Sequence, residues 1–278
     1  MTMSAPGEPG VTVEAAALMA LGARARAAPG ALAERPGISP TRKRGQGHAI
    51  REIRPFAEGD DPRHLDAAAT ARSGSLQVRS FQEDRERTVL LIADFRRPML
   101  WGTRTRLRSV AAAEALALAG WQAVHGAGAA GVVAITDAGT LVERPRPREA
   151  GMARVSGCLA RAHALALASV AVPVRPLAPE LARAARLGPR GATVVLATGL
   201  DAPGDGLDAA LAALARRGPL RVLLVEDPFE TAPPPAALPF LTAQGQVARA
   251  RFTALPATRV ARLRALALPG LTAERLAS

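Results

Sequence analysis

At 278 residues and 49% hydrophobic content, the chain can bury one large core or two modest ones. Aromatics reach only 3%, with no Tyr, which argues against base-stacking platforms; the lone Cys158 excludes an intramolecular disulfide and a cysteine-rich zinc site. The formal charge of +12 favours an anionic partner, but all 36 basic residues except Lys43 are Arg, so compositional bias accounts for it as readily as selection does.

No basic residue precedes Arg24, and Ala15 to Leu21 is too short for a signal core, so no targeting segment is expected. No apolar run reaches about eighteen residues, so no membrane span is expected. A reducing cytoplasm suits the single thiol.

In chain order, residues 1–10 are rich in Pro and Gly, and Thr12 or Val13 to about Ala28 predicts a helix closed by Pro29-Gly30. Residues 34–47 form a basic loop around Arg42-Lys43-Arg44. Ala49–Phe56 and Leu76–Phe81 alternate as strands, flanking a turn with four carboxylates, Glu58, Asp60, Asp61 and Asp66. From Thr88 the pattern changes. The run Thr88–Ala93 reads as a strand buried on both faces that emerges at Asp94. Ligands of open α/β sheets bind at that edge, so Asp94 is the first place to look for chemistry.

A helix over Thr105–His125 follows, then a strand at Gly131–Thr136, a turn at Asp137-Ala138-Gly139 and an edge strand at Thr140–Glu143. Helices near Glu149–Ala168 and Pro179–Leu187 precede a strand at Ala192–Ala197, a helix at Leu207–Arg217 and a strand at Leu220–Val225. A Pro233-Pro234-Pro235 connection leads to a weak hairpin over Phe240–Phe252 with its turn near Gln244-Gly245, and a helix at Ala257–Ala267 ends the pattern. This alternation predicts an α/β fold, a doubly wound and mainly parallel sheet with a small N-terminal β extension. The parts are 1–33 (tail and short helix), 34–87 (basic loop and β extension), 88–230 (α/β domain) and 231–278 (hairpin and helix completing it).

Enzymatic motifs are weak. Lys43 stands between Arg42 and Arg44, which excludes a P-loop; Gly45-Gln46-Gly47 does not follow a strand; no G-x-S-x-G elbow occurs. Cys158 and His163 are five apart and do not share a helical face, so Cys158 reads as buried and inert. His48, His125 and His163 are isolated, and Trp101 and Trp121 read as packing groups.

Three segments carry a resemblance: Gly59-Asp60-Asp61-Pro62-Arg63-His64-Leu65-Asp66, then Thr70-Ala71-Arg72, then Leu76 to Arg85 with Val78, Arg79, Phe81 and Glu83. This spaced run resembles the bacterial domain of unknown function 58 family, over roughly residues 40–255, and Asp227-Pro228-Phe229-Glu230 resembles its D-P-x-E element. Ala67 stands where that family has Trp, and its N-terminal membrane helices have no counterpart here. The resemblance implies a domain of von Willebrand factor A type and partnership with a MoxR-type AAA+ ATPase.

Domains of that type commonly hold a divalent cation through D-x-S-x-S after the first strand, with further oxygens from later loops. Here the triplet is Asp94, Arg96 and Pro98, and Thr198-Gly199 stands where S-D would be, with Asp201 displaced. A guanidinium offers no acceptor, so the metal site reads as degenerate, with Arg96 or Arg97 supplying the charge instead. No cofactor is expected. The acidic turn, with Gly59, Asp60, Asp61, Arg63, Asp66, Thr70 and Arg72, reads as a structural or docking element in which carboxylates pair with Arg. The leading expectation is a non-enzymatic interaction module. A nucleic-acid or polyanion binder, motivated by Arg42-Lys43-Arg44, Arg96-Arg97 and Arg104/Arg106/Arg108, is the alternative. A metal-dependent hydrolase comes third.

Overall fold

The computed structural model describes residues 8–27, 50–56, 65–81, 88–242, 245–254 and 258–278. The chain divides into two units, Met1–Leu32 with Arg87–Ser278, and Ala33–Glu86.

In the larger unit, α1 (Ala15–Ala27) is followed after the inserted segment by β3 (Val89–Asp94), α3 (Arg108–His125), β4 (Ala129–Thr136) and β5 (Gly139–Pro147). Next come α4 (Arg148–Ala168), α5 (Leu177–Leu187), β6 (Thr193–Thr198), α6 (Leu207–Ala215) and β7 (Leu220–Glu226). The one-turn α7 (Pro228–Thr231), the hairpin β8 (Leu238–Leu241) and β9 (Val247–Ala250), α8 (Thr258–Ala265) and β10 (Leu271–Ala277) complete it. Six strands form one sheet in the order β10-β7-β6-β3-β4-β5. Every pairing is parallel except β4 with β5, as expected of a doubly wound α/β sheet carrying one antiparallel edge strand.

Every residue of β3 and β4 is buried, which explains why their sequences run apolar without alternating. Side chains still alternate between faces: Val89, Leu91 and Ala93 join one core with α1, α3 and α4, while Leu90 and Ile92 join the other with α5, α6 and α8. The N-terminal helix is part of the first core through Leu18, whose carbonyl accepts the Trp121 indole N–H at 3.1 Å.

The final strand corrects the sequence reading. The predicted terminal helix is confined to α8 among the described residues, and β10 then pairs in parallel with β7 from Leu271↔Leu220 to Ala277↔Glu226. Glu274 and Arg275 break the apolar run that marks the inner strands, because an edge strand keeps one side near water. No helix among the described residues is long and apolar enough to cross a membrane.

In the smaller unit, β1 (Ile50–Pro55) pairs antiparallel with β2 (Gln77–Phe81), but the intervening segment is not only a turn. It contains α2 (Ala67–Ser73), begun by the Asp66 carboxylate accepting from Ala69 N at 2.9 Å and ended by Gly74 in the left-handed region. So short a helix leaves no periodicity in the sequence, although both caps are visible there.

Candidate functional site

The strand order reverses between β3 and β6, and open α/β sheets bind ligands at the carboxyl ends of such a pair. Asp94 ends β3 and Thr198 ends β6. Both are fully buried, together with Arg96. Asp94 Oδ1 accepts from the Arg96 backbone N–H (3.2 Å) and Nε (2.9 Å). Its Oδ2 accepts from Arg96 Nη2 (2.9 Å) and Thr198 Oγ1 (2.7 Å). The rest of the guanidinium is equally committed: Nη1 donates to the carbonyls of Arg175 (2.6 Å) and Ala202 (3.1 Å), and Nη2 also to that of Asp201 (2.8 Å). All five N–H donors of Arg96 therefore have acceptors, and the lone-pair directions of Asp94 are filled. Burial works against the charge on Arg96, but Asp94 outweighs it through its own charge and its hydrogen bonds, and the pKa of Arg96 is raised.

The loop beyond β6 is shaped to this cation. Leu200 (φ 57°) and Ala202 (φ 42°) both adopt the left-handed region without being glycine, a strain of about 1–2 kcal/mol each. The strain is held by Leu200 N–H donating to Thr198 Oγ1 (3.0 Å) and by the Asp201 and Ala202 carbonyls bound to Arg96.

A second buried arginine extends the arrangement. Arg108, from the first turn of α3, donates to Asp201 Oδ2 (2.9 Å), to the Val225 carbonyl from Nε (3.1 Å) and Nη2 (2.9 Å), and to the Pro98 carbonyl (3.2 Å). Arg259, on α8, bridges Asp201 Oδ1 (2.6 Å) and Glu230 Oε1 (3.1 Å). Glu230 in turn closes a capping box on α7, accepting the Asp227 N–H at 2.8 Å while Asp227 accepts that of Phe229 at 2.8 Å. Burial would raise the Asp227 carboxyl, but hydrogen bonds from Thr103, Phe229 N–H and the Ser278 hydroxyl outweigh it and leave the pKa lowered. On the other side, Asp137 accepts from the backbone N–H groups of Arg97 (2.7 Å) and Arg175 (2.8 Å).

The sequence reading placed Asp94, Arg96 and Thr198 at one site, and the structure brings all three together. Arg97 goes elsewhere, reaching from the surface to the Val170 carbonyl at 3.3 Å. Pro98 contributes its carbonyl, and Gly199 contributes space: a Cβ there would lie 1.6 Å from Arg108 Nη2. Two of the arginines that suggested a polyanion face, Arg96 and Arg108, are interior, and Arg106 is paired with Glu114. Of the acidic turn, Gly59, Asp60, Asp61 and Arg63 lie outside the described residues. Asp66 caps α2, Thr70 Oγ1 accepts from Gln77 N–H at 2.9 Å, and Arg72 is exposed.

The divalent cation implied by the resemblance does not fit this donor set. Hard cations need several free oxygens, and here the carboxylate is saturated by an arginine of the same chain. Among the described residues no group of three His, Cys, Asp or Glu is placed to hold a metal ion.

His163, isolated in the sequence, is a core residue with a hydrogen-bond partner on another helix. It is buried, its Nε2 lies 2.8 Å from Ser109 Oγ, and Phe95 meets its ring edge-on at 5.3 Å. Burial pushes the imidazole from 6.5 down to about 4. The unfolded chain takes up that proton near pH 6.5 and the folded chain only near 4, so the unfolded state binds more protons in between. Stability should fall as the pH drops through this window, by on the order of 3 kcal/mol in all. Urea melts at pH 7.5 and 4.5 test this: His163→Asn should flatten the difference, and an equal difference in both proteins would rule His163 out. Cys158 is buried, and burial pushes its thiol up to about 11, far from a reactive thiolate.

No curated protein and no solved structure matches the chain. A family model described as "Protein of unknown function DUF58" matches residues 52–255, a span that includes most of β1, all of α2, the Asp94–Arg96 site and the Asp227–Glu230 capping box. Since that span is most of the chain, the protein belongs to the DUF58 family.

Proposed function

We propose that this protein is a non-enzymatic interaction module of von Willebrand factor A type, a cytoplasmic adaptor for a MoxR-type AAA+ ATPase that assembles or activates other complexes. The strand order, with its antiparallel edge strand β5 beside β4, supports the domain type. The observation that carries the reading is the switch point itself. The crevice where such sheets take ligands is occupied by Arg96, which leaves the edge rigid, charged and closed to a small substrate. The ATPase pairing rests on the family resemblance at Gly59–Arg72, Leu76–Arg85 and Asp227–Glu230. A nucleic-acid role is the weaker reading, since Arg96 and Arg108 are turned inward.

Two measurements test the proposal. A ligand that binds only the folded state raises its stability by mass action, so melts in millimolar Mg²⁺ and in EDTA should overlay. A Mg²⁺-dependent rise of several degrees would mean that the carboxylates bind metal after all. The MoxR-type ATPase of the same organism, mixed with the chain in ATP, should co-elute with it on gel filtration. Separate elution with ATP, ADP and no nucleotide alike would end the adaptor reading.

A further inference from the structure

The hairpin β8–β9 stands apart from the six-stranded sheet, and no third strand joins it among the described residues. We propose that the outer edge of β9 takes up an extended segment of a partner protein, alternating apolar and acidic residues, as a third antiparallel or parallel strand. The inference does not depend on the ATPase pairing.

The backbone identifies the edge. Thr242 N–H donates to the Gln246 carbonyl at 2.9 Å, so this opposed pair is a hydrogen-bonded one. Such pairs alternate along an antiparallel ladder. In the observed register Phe240 with Ala248 and Leu238 with Ala250 are therefore bonded, while Leu241 with Val247 and Pro239 with Arg249 turn their peptide groups outward. On β8 one outward position is Pro239, which has no N–H to offer. On β9 both outward positions, Val247 and Arg249, keep donor and acceptor. One edge is blunted and the other is open, which is the geometry that strand addition uses.

The side chains describe what would fit. Val247 is 74% exposed and Leu241, directly opposite, 71% exposed. A scattered surface aliphatic is ordinary, but an opposed pair on a free hairpin is an apolar contact awaiting a neighbour. Exposure alternates through Val247, Arg249 and Arg251, so two arginines share the face of Val247. No acidic residue occurs between Glu230 and Glu274, and neither Arg249 nor Arg251 has a carboxylate partner among the described residues. Arg249 spends one N–H on the Ala237 carbonyl at 3.0 Å and keeps the rest. An incoming strand would match this face with carboxylates beside its own apolar residues. The base of the hairpin is firm. Phe252 meets Phe229 of the capped α7 at 5.1 Å and Phe240 at 5.8 Å.

The test uses the full chain and a fluorescein-labelled peptide of alternating Val and Glu, followed by anisotropy. Two further peptides carry N-methyl groups on one or the other alternate set of residues. Saturable binding is expected, lost with one methylated set and kept with the other, because a paired strand turns only every second N–H toward its neighbour. Arg251→Glu and Val247→Ser should each weaken binding by about tenfold or more while melting like the wild type, since both positions are exposed. Arg249→Glu adds to this where its melt is unchanged, and Arg251→Glu alone decides the charge requirement where it is not. Absence of saturable binding would overturn the proposal, as would equal binding of both methylated peptides. So would sedimentation of the chain with phosphatidylglycerol vesicles that is abolished by Val247→Ser, which would make the hairpin a membrane contact.

Discussion

Arg96→Ala should lower the melting temperature by on the order of 10 °C, and Asp94→Ala by a similar amount. Both side chains are completely buried, so removing either leaves the other charged, desolvated and without its partner. Breaking a buried pair in this way costs about 3–5 kcal/mol, much more than an exposed ion pair contributes. Arg96→Ala has a second cost. The Arg175 and Asp201 carbonyls lose their donor, and the strained Ala202 is left with only the Leu177 N–H (3.1 Å) on its carbonyl. Arg96→Lys should recover only a minor part, since an ammonium cannot span both Asp94 oxygens and three carbonyls with a planar fork. The double variant Asp94→Ala/Arg96→Ala should be less unstable than the sum of the single changes. Strict additivity in urea melts would show that the two residues do not act as a pair.

Gly199→Ala should be nearly as damaging, although it adds one methyl group. The new Cβ would lie 1.6 Å from Arg108 Nη2 and 2.3 Å from Asp201 Oδ2. A flexible side-chain end would swing away cheaply, but Arg108 is fixed by two carbonyls and a carboxylate inside the fold. Displacing it strands a buried guanidinium, again a matter of about 3 kcal/mol or more. Arg108→Leu with Gly199→Ala should restore part of the loss, because the contact with the guanidinium is then gone and only that with Asp201 remains. A Gly199→Ala protein that melts like the wild type would show that the loop yields easily, contrary to the tight fit described here.

The sheet was legible because its inner strands are apolar on both faces, so Val89–Ala93 and Thr193–Ala197 announce themselves within a few residues. Asp94, Arg96 and Thr198 were legible for the same reason: strand ends in a doubly wound sheet converge, and their chemistry departs from the resemblance at named positions. Arg108 and Arg259 were not. They meet Asp201 across 93 and 58 residues of chain, and nothing in the local pattern distinguishes an arginine that turns inward from its solvated neighbours. Arg108 begins α3 two residues after Arg106 and four after the exposed Arg104, a spacing that made it look like part of a surface patch. The strand β10 escaped because small and charged residues at an edge carry no strong periodicity. His163 escaped because its partner Ser109 sits on another helix.

The fit of Gly199 against Arg108 also bears on how such a site can change over generations. A serine introduced at position 96 would remove the internal cation before any ion had a full set of ligands. An acidic residue at position 199 would collide with Arg108 unless that arginine went first, and losing Arg108 would leave Asp201 with Arg259 alone. Each such single change is disfavoured by the arrangement of the other residues, because their contributions are strongly non-additive. The lattice of arginines therefore acts as a ratchet. A change at any one of these positions is penalised by the others, which ties them together as a set.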